Sequence, residues 1–206
     1  MTAEQVIKAL EKEYPKAKYY LNFKSPLQLV MAAILSPQVR DEVVNECTPT
    51  LFSKYKTAKD YAEAKIGDIE RIVKKVSFAG NKAKYIVNAG KVLVEQFGGR
   101  VPSTVEDLVK LPGVGRKTAV AIMANAFDKV EGIPVDTHVI RLSNRLGWVK
   151  TKNPDKIERE LMQKIPKKYW KKTPWLLKAH GRAVCTSVPK CSKCCVEKYC
   201  PKIGVK

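Results

Sequence analysis

The stretch Leu111-Pro112-Gly113-Val114-Gly115-Arg116-Lys117-Thr118-Ala119 decides the fold, because two helical patterns meet at it. Upstream, Ser103 with Glu106 has the spacing of a capping box for a short helix that runs into Leu111. Downstream, Ala119, Ile122, Met123, Ala126 and Phe127 recur at helical spacing as the core stripe of a second helix. Pro112 and the two glycines between these patterns mark a tight turn, so the whole reads as a helix-hairpin-helix. Gly113 and Gly115 let the backbone turn sharply and let a ligand approach the N–H groups at the positive end of the second helix, which suits a phosphate. Lys117 falls outside the apolar stripe and is free to face a ligand. A glycine turn between two helices is often only a turn. The phosphate reading takes its weight from Arg116, Lys117 and the charge of the whole chain.

The rest of the sequence is also helical in pattern. Thr2 with Gln5 caps a first helix carrying Val6, Ile7, Leu10 and Tyr14, and Ser25-Pro26 opens an almost wholly apolar helix from Leu27 to Leu35 that ends at Ser36-Pro37-Gln38. Val43, Val44 and Cys47 make a further helical face that Pro49 interrupts, and Ile66, Ile69, Ile72, Val73 and Val76 make another. After a break at residues 77–81, Tyr85, Ile86, Ala89, Leu93 and Phe97 form a long stripe that closes on Gly98-Gly99. Asp136 caps a helix through Leu146, Asn153-Pro154 starts one with Ile157, Leu161 and Ile165, and Thr173-Pro174 starts a last one ending near Gly181. No stretch alternates as a strand would. The expected fold class is all-α, with roughly ten helices joined by short loops.

The chain of 206 residues carries 39 Lys and Arg against 20 Asp and Glu, a formal charge of +19. Positive residues are spread along its length rather than gathered in a tail. This points to a polyanionic partner, nucleic acid first; the plainer alternative is a lysine-rich surface that only confers solubility. A hydrophobic fraction of 45% excludes a disordered chain, and no apolar run approaches the roughly 20 residues of a membrane span. Met1-Thr2-Ala3-Glu4-Gln5 has an early acid and no apolar core, so no signal peptide is read and a cytoplasmic, nucleoid-associated protein with no membrane partner is expected.

Of six cysteines, five fall between Cys185 and Cys200, and Cys47 stands apart as an expected small core residue. Without an export signal such crowding points to metal ligation rather than disulfides. Cys185, Cys191, Cys194 and Cys200 are spaced C-x5-C-x2-C-x5-C, and four thiolates so placed can hold tetrahedral zinc or a [4Fe–4S] cluster. Cys195 adjoins Cys194 and is chemically able to replace it, although the x2 spacing favours Cys194.

Taken together, L-P-G-V-G-R-K-T-A, Val135-Asp136-Thr137-His138, Leu35-Ser36-Pro37-Gln38, Asn81-Lys82-Ala83, His180-Gly181-Arg182 and the four cysteines resemble the endonuclease III family of helix-hairpin-helix DNA glycosylases and abasic-site lyases over nearly the full length. The resemblance implies two helical lobes with a DNA-binding cleft between them. A six-helix barrel-like lobe at residues 22–129 would hold the hairpin, 111–116; residues 1–21 together with 130–206 would form the iron–sulfur lobe. It further implies a monomer acting on duplex DNA that contains damaged bases or abasic sites, and a [4Fe–4S] cluster rather than zinc. The family usually has six residues between its first two cysteines; this chain has five.

Residue by residue, the resemblance makes Lys117 the nucleophile and Asp136 its carboxylate partner, so that the chain both releases the base and cleaves the strand. Relatives without an amine at this position only hydrolyse the base away. Gln38 and Phe78 match the residues that enter the duplex when a base is flipped out, with Pro37 standing where a small residue is usual. Gly113, Val114 and Gly115 match the phosphate-binding turn, and Lys82 and Lys190 are further candidates for phosphate contact. The implied function is base excision repair of oxidised pyrimidines through a Lys117 Schiff base and β-elimination. The alternatives are a glycosylase for uracil or thymine mismatches, or a non-catalytic helix-hairpin-helix DNA-binding or redox-sensing protein.

Overall fold

A computed structural model describes residues 2–205, which form two compact units. One comprises residues up to Tyr19 together with Val130 onward, and the other runs from Tyr20 to Lys129. Among the described residues every regular element is helical, and no helix is long and apolar enough to cross a membrane.

The unit from Tyr20 to Lys129 holds seven helices: α2 (Pro26–Leu35), α3 (Asp41–Lys54), α4 (Ala58–Ala62), α5 (Ile66–Ile72), α6 (Ala79–Phe97), α7 (Val105–Leu108) and α8 (Arg116–Ala126). Ser25 caps α2 by accepting a hydrogen bond from Gln28 N at 3.3 Å, and Leu29 to Leu35 are all buried. A helix hidden on every face needs neighbours all round, and α3, α6 and α8 pack against it. Gly90 makes the densest contact. A Cβ there would stand 2.6 Å from Ala62 N and 2.8 Å from Tyr61 Cβ, so only glycine lets α4 lie against α6. At its far end α6 closes as its pattern predicts, with Gly98 and Gly99 both left-handed and Gly99 N bonded to Leu93 O at 2.8 Å.

Three local expectations change, and one helix goes unanticipated. Pro49 does not end α3, which runs on to Lys54. Burial of Val44, Cys47 and Thr48 before it and Leu51 after it offsets the one backbone hydrogen bond that proline removes. The break placed at 77–81 is shorter: Phe78 is the N-cap of α6, so Ala79, Gly80 and Asn81 already belong to its first turn. Thr104, not Ser103, caps α7, accepting from Asp107 N at 3.2 Å. The short helix α4 has no apolar stripe long enough to announce it; a capping box between Thr57 and Asp60 fixes its start.

The other unit combines α1 (Ala3–Glu13) with α9 (Thr137–Arg145), α10 (Pro154–Lys164), α11 (Thr173–Ala183) and three single 3-10 turns, two of which, Cys191–Lys193 and Glu197–Tyr199, lie among the cysteines. Val6, Ile7 and Leu10 of α1 join Val139 and Leu142 of α9, Ile157 and Leu161 of α10 and Leu176 and Leu177 of α11 in one core. The chain's first helix is thus packed with its last four-score residues, and the intervening segment folds as the separate unit.

Candidate active site

The hairpin is built from its two glycines in different ways. Gly113 has φ +83, and a Cβ on it would lie 3.2 Å from Ile34 Cγ2 and 3.3 Å from Tyr85, so it is required both for the turn and for packing. Gly115 is extended, with φ −91 and ψ 173, and has nothing within 4 Å of a built Cβ. It serves as the N-cap of α8 and leaves open space beside the helix start. Leu111 and Val114 are buried, and Val114 N donates to Leu111 O at 3.0 Å. The N–H and side chain of Val114 are therefore spent inside the turn, contrary to its grouping with the glycines as a ligand contact. The amide groups left to face a ligand are those of the exposed Gly113, of Gly115 and of the first turn of α8.

Lys117 is the second residue of α8 and is exposed; among the described residues no hydrogen bond or ion pair engages its amine. The centre of the same helix is buried all round, from Ala119 to Ala124, so its exposed first turn stands on a firmly packed base. Asp136 is the N-cap of α9. Its Oδ1 accepts from His138 N and Val139 N, both at 2.9 Å, and its Oδ2 stands 3.5 Å from His138 Nδ1. One carboxylate oxygen is committed to the helix, and the other is turned to the imidazole at a half-buried position.

Gln38 and Phe78 are both exposed, Phe78 at 64%, and both have φ 59. Left-handed backbone is unfavourable for residues with a Cβ, and such strain gathers at working sites. At Gln38 the cause is visible: Val39 N bonds Ser36 O at 3.1 Å, with proline second and a left-handed residue third, the residue pattern of a type II turn. Pro37 thus sets the loop that displays Gln38. Lys82 does not offer its charge to a ligand. It is 5% exposed, and its Nζ donates to Leu35 O at 2.8 Å and Pro37 O at 2.6 Å. Burial lowers its pKa to about 8. The phosphate-contact expectation for Lys82 is replaced by an internal one.

Cys185, Cys191, Cys194 and Cys200 line one pocket of about 30 Å³, whose other walls include Leu10, Leu142, Leu146, Val184 and Val196. Cys195 is not part of that wall. Among the described residues no three or more His, Cys, Asp or Glu side chains gather as a single-ion site; the four thiols border a shared space instead. Burial pushes the Cys194 thiol up to about 11 and raises that of Cys200. Lys190 is exposed on the same segment.

The HhH-GPD superfamily of base excision DNA repair proteins matches residues 31–167. The endonuclease III of Synechocystis sp. is 44% identical over 200 residues, covering 97% of this chain and 91% of that protein. That of Bacillus subtilis is 41% identical over 189 residues, covering 91% of this chain and 86% of its own length. The chain belongs to the endonuclease III family. Within it, the solved structure of a trapped endonuclease III–DNA covalent intermediate, an estranged-adenine complex, superimposes with a TM-score of 0.90 at 35% identity over 98% of this chain and 97% of that one.

Several residues of this endonuclease III family member have tasks that the sequence alone does not assign. Arg145, buried in the last turn of α9, donates through Nη1 to Thr186 O at 2.5 Å, Cys185 O at 3.4 Å and Cys185 Sγ at 3.3 Å, and through Nη2 to Ser187 O at 2.9 Å. It holds the shortened segment between the first two cysteines. Arg141, one turn earlier, donates to Cys185 O at 3.2 Å and Gly181 O at 3.1 Å. His180 is buried between Tyr14 Oη, 2.9 Å from its Nδ1, and Cys194 Sγ, 3.3 Å from its Nε2, and burial lowers its pKa. An arginine on a helix gives no sign of burial until its carbonyl partners are known.

Proposed function

We propose that Lys117 and Asp136 are the catalytic pair with which this base excision repair DNA glycosylase and lyase acts on oxidised pyrimidines in duplex DNA. The observation that carries the reading is Lys117 itself: an exposed amine, unengaged among the described residues, two residues beyond an open helix N-cap at Gly115. The amide groups at Gly115 and the first turn of α8 suit a backbone phosphate beside the reacting nucleotide. Lys190 and the basic surface supply sequence-independent attraction to the duplex.

In the reaction the lone pair of the Lys117 amine forms a bond to C1′ of the sugar. The bond from C1′ to the damaged base breaks and its electron pair leaves with the base. Opening of the sugar ring gives a Schiff base between Lys117 and C1′, and loss of a C2′ proton then expels the 3′ phosphate by β-elimination. The Oδ2 side of Asp136 steadies the positive charge that develops on the sugar, while Oδ1 keeps its place as the cap of α9. Gln38 and Phe78 fill the space that the flipped nucleotide leaves, which offsets part of the few kcal/mol lost in unstacking.

Cys185, Cys191, Cys194 and Cys200 would hold a [4Fe–4S] cluster. Four thiols around a shared pocket with apolar walls fit a multi-iron group, whereas zinc draws four sulfurs to about 2.3 Å from one point. Bound there, the group would tie the C-terminal segment to α9 and α11, and its positive irons would offset the cost of four buried thiolates. Iron and acid-labile sulfide in equal amounts are expected on analysis; stoichiometric zinc without sulfide would overturn the assignment.

Borohydride reduction in the presence of lesion DNA tests the central claim. A covalent adduct is expected with the native chain and none with Lys117→Ala. An adduct that survives the substitution, or none in either, would remove Lys117 from its role. A panel of duplexes carrying oxidised pyrimidines, uracil and thymine mismatches then fixes the substrate class.

A further inference from the structure

Gln38 and Phe78 lie forty residues apart in sequence, yet one side chain connects their loops. Lys82 sits one turn into α6, where its backbone N donates to Phe78 O at 3.0 Å. Its side chain runs inward, and Nζ donates to Leu35 O, the last residue of α2, and to Pro37 O, which directly precedes Gln38. The same residue is therefore bonded by its main chain to the loop of Phe78 and by its ammonium to the loop of Gln38. Both carbonyls lie at the C-terminal end of α2, where a helix leaves acceptors unsatisfied and where a cation is favoured. Both loops hold a non-glycine residue in left-handed backbone, a state that persists only when the surroundings over-determine it. All of these contacts lie within the unit from Tyr20 to Lys129.

From this we infer that Lys82 is a positioning residue that locks the Gln38 and Phe78 loops into one preformed wedge, so that the two side chains enter the duplex together rather than independently. The inference rests on the reading that Gln38 and Phe78 enter the duplex. It gives the buried ammonium a task that neither phosphate contact nor core packing explains. A lysine here serves where a methionine of equal length would serve the packing alone, because only the lysine satisfies two carbonyls on the neighbouring loop. Losing a charged donor to two carbonyls leaves the Gln38 turn to sample other conformations before each encounter.

The test uses the full-length, metal-loaded protein and two readouts. The first is single-turnover release of an oxidised pyrimidine from duplex DNA, with a fluorescent base opposite the lesion to report opening. The second is cleavage of an abasic site in single-stranded DNA, which needs no wedge. Lys82→Met is expected to slow base release and the fluorescence change at least about tenfold while leaving single-strand cleavage within about twofold. In double-mutant cycles, Lys82→Met is expected to add little to Gln38→Ala or to Phe78→Ala, since each removes what the lock positions. Additive effects in both cycles, or equal losses on both substrates, would reduce Lys82 to a residue of general stability and overturn the inference. If Gln38→Ala and Phe78→Ala themselves leave duplex base release unchanged, the wedge reading fails first, and the lock fails with it. If those two variants are slow but Lys82→Met is not, the wedge stands and the lock alone is refuted.

Discussion

Gly113→Ala and Gly115→Ala place a methyl two residues apart in the same turn and should have opposite consequences. At Gly113 the backbone is left-handed, which costs a residue with a Cβ about 1–2 kcal/mol. The added carbon also meets Ile34 Cγ2 at 3.2 Å and two Tyr85 atoms at 3.3 Å, so these neighbours must give by a few tenths of an ångström. A total loss of about 2 kcal/mol follows, which for a chain of this size lowers Tm by about 4–8 °C. At Gly115 φ is −91 and the methyl meets nothing. Alanine stiffens the unfolded chain there, worth about 0.4–1 kcal/mol, and is a poorer N-cap than glycine by a similar amount, so the two nearly cancel. The methyl nevertheless stands beside the open amides at the start of α8 and keeps a phosphate from reaching them. Loss of one charge-assisted contact corresponds to about tenfold in Kd for abasic-site duplex DNA. Thermal unfolding by circular dichroism and titration with labelled duplex separate the two effects. If Gly115→Ala melts as low as Gly113→Ala, or binds duplex as the native chain does, the division of labour in this turn is wrong.

Three further outcomes follow from other parts of the molecule. Asp136→Asn keeps a good N-cap and is expected to leave Tm within about 2 °C while removing most base release, whereas Asp136→Ala should lose about 1 kcal/mol of stability as well; full activity in both variants, with only Asp136→Ala less stable, would leave Asp136 a cap and nothing more. Pro49 is exposed inside α3, so Pro49→Ala restores a helical N–H without disturbing packing and is expected to stabilise the chain by about 1–2 kcal/mol in denaturant titration; no gain would mean that the helix is already adjusted around the ring. Lys82 loses its proton near pH 8 in the folded chain against an ordinary value of 10.5, so the unfolded chain binds more protons between these values and the stability contributed by this group rises with pH across that window. The unfolding free energy of the native chain relative to Lys82→Met should therefore increase by on the order of 2 kcal/mol from pH 8 to 9.5, and a difference independent of pH would contradict the burial of a titrating amine.

Much of this was legible in one dimension because helices announce themselves locally. Ser25-Pro26, Asn153-Pro154, Asp136 and Gly98-Gly99 mark ends by chemistry that involves only near neighbours, and each end lies where its marker stands. The hairpin motif, the lysine within it and the cysteine spacing are likewise local. Where the adjacent residue offers the same chemistry, as Thr104 beside Ser103, the pattern gives the helix and misplaces its cap. Pro49 misleads for the opposite reason, since its cost is local and its compensation is not.

What the sequence by itself determined is the inventory: an all-helical chain, a glycine hairpin carrying Lys117, Asp136 at a helix start and four cysteines close together. What only the tertiary structure decided is which charges are spent inside. Lys82 and Arg145 look in sequence like any other member of a strongly basic chain, yet Lys82 is bonded to carbonyls 45 and 47 positions away and Arg145 to carbonyls some forty positions away. A buried cation needs acceptors, and the acceptors that satisfy these two are main-chain carbonyls, which every residue has and which no sequence pattern marks. The turn at Gln38 is set locally by Pro37, but its brace, the Lys82 ammonium on Pro37 O from 45 positions away, is of the same kind and is visible only once the helices have packed.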